Sequence, residues 1–143
     1  MMYKRILVAV DGSENSKRAA EHALQIATLH AGATVEVLYV VDYDRIRRDA
    51  TPKSQKTNED KLHVDRENRL SPIKGVFEQS KVNYEIIIKN GDPGTTIVSF
   101  ANRGGFDLVI IGSRGLNSFQ EMVLGSVSHK VAKRTKAPVM IIK

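Results

Sequence analysis

The chain has no cysteine and no tryptophan among its 143 residues. Without cysteine, disulfides and thiolate metal sites are excluded. Four tyrosines and four phenylalanines are scattered along it, so no base-stacking surface for single-stranded nucleic acid is suggested. No apolar run approaches the roughly 18 residues that a membrane span needs. The opening "MMYKRILVAVDGS" is too short in its apolar part for a signal peptide. A soluble cytoplasmic protein is the expectation. The two common glycine-rich phosphate motifs, G-x-G-x-x-G and G-x-x-x-x-G-K-[ST], are also missing. His22, His30, His63 and His129 show no metal-ligand spacing.

Most of the chain mixes both signs of charge, with one exception. The stretch from Met122 to Lys143 has no acidic residue, while it carries Lys130, Lys133, Arg134, Lys136 and Lys143. These account for five of the six charges in the net +6. They read either as a solvated helix face with cations at its C-terminal end or as a field that attracts an anionic ligand.

What is present is a regular alternation. The length fits one domain, 1–143. "YKRILVAV" is a strand that ends at Asp11-Gly12-Ser13, with Ser13 or Ser16 as the cap of a helix that Gly32 closes. "TVEVLYVVD", 34–42, is a second strand. Residues 43–58 read as a long polar loop, ordered or partly disordered, in which Arg45, Arg47 and Arg48 are solvated. A helix follows over about 59–80, either kinked at Pro72 or beginning there. "NYEIIIKN" is the third strand. Asp92 caps the next helix, with Pro93 as its first residue. "FDLVIIG" is the fourth strand, a helix runs from about Gly125 to Lys136, and "APVMIIK" is the fifth strand. The predicted fold is therefore α/β: an open parallel five-stranded sheet with helices on both faces, in the order 3-2-1-4-5.

Ligands of such sheets bind beyond the carboxyl ends of the strands, where the order switches. That puts Asp11-Gly12-Ser13 and Gly112-Ser113-Arg114-Gly115 on one crevice. Gly125-Ser126 stands at a helix start, where free N–H groups favour phosphate. By physics alone the glycines are equally open to reading as plain turns.

The pattern G-x2-G-x9-G-[ST], here Gly112, Gly115, Gly125 and Ser126, resembles the ATP-binding signature of the universal stress protein family. "ILVAVDGSENS", "GDPG", "DLVIIGSRG" and "VLGSVSHKVAKRTKAPVMIIK" are similar to that family too, and only the segment from about 43 to 65 lacks a counterpart. The resemblance implies a Rossmann-like, nucleotide-binding fold. It implies adenine near Val10, Asp11 and Val40, and ribose and phosphates among Gly112, Ser113, Arg114 and Gly115. Gly125, Ser126, Val127 and Ser128 would take the phosphate tail, with Mg2+ or Mn2+ on the phosphates and the spacer 116–124 folding over them. It further implies a homodimer through the terminal strand, 138–143.

Each residue has a plainer reading. Asp11 could cap a helix, Arg114 could be solvated, and Ser128 could be an ordinary first-turn serine. Three functions stay open: an ATP-dependent regulatory protein, a slow ATPase or self-phosphorylating enzyme, and a dimeric interaction module without nucleotide. No efficient enzyme is expected, because no base stands beside the phosphate loop. A response-regulator receiver would need an acidic pair after the first strand, where only Asp11 stands, and nothing points to flavin.

Overall fold

The computed structural model describes residues 3–49, 55–115 and 124–143. The first strand, β1 (Arg5–Val10), is buried from Ile6 onward. Its side chains alternate between two cores, as the strand period of two requires. Ile6, Val8 and Val10 enter one, and Leu7 and Ala9 enter the other. A strand covered on both faces has to be apolar at every position.

The first core is closed by α1 (Glu14–Thr28) and α3 (Gln55–Glu78). Ala19, Ala20, Ala23 and Ala27 form the buried stripe of α1, and Leu70, Ile73 and Phe77 that of α3. The second core is closed by α4 (Pro93–Gly104) and α5 (Ser126–Arg134), through Ile97, Ala101 and Val131. The other strands are β2 (Thr34–Val41), β3 (Asn83–Asn90), β4 (Leu108–Gly112) and β5 (Val139–Ile142). All pairings are parallel, in the order β3-β2-β1-β4-β5. This is the predicted sheet, with β1 and β4 adjacent at its centre.

Local signals explain most of the boundaries. Ser13 caps α1, accepting from the Ser16 N–H at 3.1 Å. Ser16 itself lies inside the helix and donates to the Ser13 carbonyl. The helix stops at Thr28, and Gly32 makes the following turn at φ 80° rather than capping it. Asp92 caps α4 as expected, with Pro93 first.

Residues 43–49 and 55–58 depart from the sequence reading, while 50–54 lie outside the described residues. Where a loop was expected, α2 (Tyr43–Asp49) is helical and α3 already begins at Gln55. Asp42 is the reason for the first. Its Oδ1 accepts from the Arg45 N–H at 2.9 Å, which satisfies a free donor of the helix start, and its carbonyl accepts the first bond of the helix from Ile46. Helix α3 runs unbroken through Pro72, so it neither begins nor ends there.

Candidate functional site

The carboxyl ends of β1, β2 and β4 open into one cleft of about 640 Å3, roofed by α2 and α3 and closed by the start of α5. That volume is in the ordinary range for a small-molecule site. Val10, Asp11, Val40, Gly112, Arg114, Gly115, Gly125, Ser126, Val127 and Ser128 all line it. Ser113 does not. It is buried, and its hydroxyl accepts from Asn15 Nδ2 at 3.1 Å. Of the spacer 116–124, residues 116–123 lie outside the described residues.

The loop after β4 is held from below. The Ser113 N–H donates to the Ile142 carbonyl at 2.7 Å, and the Ser113 carbonyl accepts from Gly125 N–H at 2.7 Å and from the Ser128 hydroxyl at 2.8 Å. These bonds seat the N-terminus of α5 against the end of β4. The Ser128 hydroxyl is thus committed to the protein, which favours its plainer reading. Its backbone N–H, with those of Ser126 and Val127, belongs to the first turn and lacks an acceptor within the helix. Gly125 is the cap, at φ −70° and ψ 166°, and offers no side chain to these amides. Three free donors and the positive end of the dipole therefore stand at the cleft wall.

Two glycines of the signature are packed tightly. A Cβ at Gly112 would stand 2.9 Å from Asn15 Cβ and 3.0 Å from the Asn15 backbone carbon. One at Gly115 would stand 2.5 Å from Asp11 Oδ2, so the Asp11 carboxylate packs directly against the glycine turn. Asp11 also accepts from the Ser13 N–H at 2.9 Å.

Several lining residues escaped sequence reasoning. Asp42 and Asp92 stand just past β2 and β3, and the strand-end rule could have flagged both. Arg45 on α2 and Arg69 on α3 carried no local signal. Their place depends on how these helices cross the sheet.

Asp92 connects the cleft to α4 and α5. Its carboxylate accepts from Thr95 N–H at 3.1 Å and lies 3.8 Å from Lys130 Nζ, which also donates to Thr95 Oγ1 at 2.7 Å. The bonds from Thr95, with the Lys130 charge adding to them, hold its pKa below the ordinary 3.8. A lowered carboxylate pKa contributes stability that is present above the unfolded value and lost as pH falls through the folded one. An asparagine at this position would still cap the helix but cannot titrate. The stability advantage of wild type over Asp92→Asn is therefore expected to be constant from about pH 5 to 7 and to shrink once pH drops below the unfolded value. Urea titrations from pH 7 down to about pH 3 check it. An advantage independent of pH would mean that the carboxylate is not held as described.

The model of the universal stress protein family matches residues 2–143. The universal stress protein YxiE of Bacillus subtilis is 32% identical, over 99% of this chain and 100% of its own length. The solved structure of the protein MJ0577 superposes with a TM-score of 0.85 at 33% identity, covering 100% of this chain and 97% of the other. Two further structures carry nucleotides. A universal stress protein in complex with cAMP has a TM-score of 0.68 at 25% identity, covering 99% of this chain and 98% of the other. An Arabidopsis thaliana family member with AMP bound has 0.66 at 26%, covering 98% and 91%.

Proposed function

The chain belongs to the universal stress protein family, and from that premise we propose that it binds ATP and acts as a nucleotide-dependent regulatory protein. The observation that carries this reading is the start of α5. Its uncapped first-turn amides line the same cleft as the Gly112–Gly115 turn, so two anion-seeking elements converge. Nucleotides bound by two relatives, as cAMP and as AMP, support it. A triphosphate would lie against Gly125, Ser126 and Val127, with Arg114 beside it. Its base would extend toward Val10, Asp11 and Val40.

Among the described residues no cluster of His, Asp and Glu could hold a metal ion. A Mg2+ or Mn2+ ion accompanying ATP would take most of its ligands from the phosphates and water.

Regulation is favoured over catalysis by the carboxylates that line the described cleft. Asp11, Asp42 and Asp92 each accept a backbone N–H bond, which gives each a structural role apart from orienting an attacking water. The homodimer reading rests on β5. It forms one edge of the sheet, and Val139, Met140 and Ile141 are only half-buried there. An apolar open edge favours pairing with a second copy. A monomer mass by light scattering at high concentration would overturn it.

The test of the main reading is direct. Gently purified protein is denatured and any released nucleotide is identified by chromatography, followed by calorimetric titration with ATP and magnesium. The expected result is one saturable site. No heat at high protein concentration would sink the nucleotide reading. Conversion of bound ATP to ADP many times per minute would favour the enzyme instead.

A further inference from the structure

We propose that Arg69 determines base specificity, its guanidinium lying flat against the face of a purine. This rests on the nucleotide reading above and adds a residue to it from the roof of the cleft. The two anion-seeking elements lie beyond β4 and at the start of α5, to one side of β1. From there the cleft runs to the ends of β1 and β2, where Val10, Val40, Ile46 and Arg69 line it. A nucleotide with its phosphates on α5 sends its base to that end. The apolar side chains there suit one face of a ring, and Arg69 is a cation beside them.

Arg69 is held at both ends. Its stem covers Gly12, where a Cβ would stand 2.7 Å from Arg69 Cβ and Cγ. Gly12 sits at φ 88°, so a side chain there would be strained as well as crowded. At the other end, Nη1 donates to the Tyr39 hydroxyl at 3.4 Å. Tyr39 is itself buried at the end of β2, which makes it a fixed post. A guanidinium is planar and weakly hydrated, and it stacks on aromatic faces, including those of nucleobases. An ammonium has no such face. Purines offer a wider π surface than pyrimidines, so the contact selects between them as well as adding affinity.

Calorimetry with ATP, CTP and inorganic tripolyphosphate separates this role from general charge attraction. Arg69→Met keeps the stem over Gly12 and removes the plane, so the fold should survive, as a thermal melt would verify. Wild type should bind ATP more tightly than CTP. Arg69→Met should weaken ATP roughly five- to thirtyfold and narrow the gap to CTP. Tripolyphosphate should stay within about twofold, because its contacts lie at the other end. Arg69→Lys should restore only part of the ATP affinity. An unchanged ATP affinity in Arg69→Met, or an equal loss for tripolyphosphate, would overturn the stacking role. Failure of wild type to bind ATP at all is a different outcome and removes the nucleotide reading on which it rests.

Discussion

Replacing Phe77 by alanine should lower the stability of the domain by about 3–5 kcal/mol. Phe77 is fully buried and stacks on Tyr84 of β3, with ring centroids 5.0 Å apart and planes 24° from parallel. It is the largest side chain that α3 inserts into the sheet, beside Leu70 and Ile73. Truncation removes its transfer energy and leaves a cavity that a parallel sheet cannot easily collapse. For a domain of this size the melting temperature should fall by roughly 10 °C or more, as scanning calorimetry would show. The consequence reaches the cleft, because Arg69 rides on the same helix. A loosened α3 should also weaken nucleotide binding at the base end. A loss below about 1 kcal/mol would contradict the packing of α3 described above.

The parts of the fold that were legible in the sequence are those where local chemistry and tertiary environment agree. β1 from Ile6 onward and all of β4 are apolar because helices cover both faces. Ser13 and Asp92 are strong caps, and both cap. The parts that were missed depend on distant contacts. "YDRIRRD" has no helical apolar stripe, so α2 is visible only through Asp42, whose capping role was easy to mistake for the end of a strand. The first turns of α3 are polar and hide its apolar stripe, although Leu70, Ile73 and Phe77 share one face as expected.

The site divides in the same way. Its strand-end residues were legible because a parallel sheet always delivers them to one edge. Arg69 was not, since only the crossing of α3 over β1 and β2 brings it there. The hydroxyl of Ser128 looked available in sequence, but the Ser113 carbonyl uses it.

The functional reading is tested most sharply by Gly125→Ala, expected to reduce ATP affinity about 10- to 100-fold while leaving the melting temperature nearly unchanged. The backbone at Gly125 is extended, at φ −70° and ψ 166°, so any residue can adopt it. A Cβ there would meet the Ser113 carbonyl at 3.5 Å and the Ser128 hydroxyl at 3.7 Å, which is ordinary contact. Nothing within the described chain therefore requires glycine at this position. A phosphate seated on the amides of Ser126 and Val127 does require it, because a methyl group would hold it off by part of a hydrogen-bond length. Charge-assisted bonds are worth about 1.5–3 kcal/mol each, and losing one of them gives the stated range. Gly112→Ala is the control. Its Cβ would press on the backbone of Asn15, so it should cost stability as well as affinity, and alone it could not distinguish a binding role from a packing one. Loss of affinity at full stability in Gly125→Ala has only the ligand to explain it. Unchanged affinity would move the phosphates elsewhere in the cleft, whatever the family to which the chain belongs.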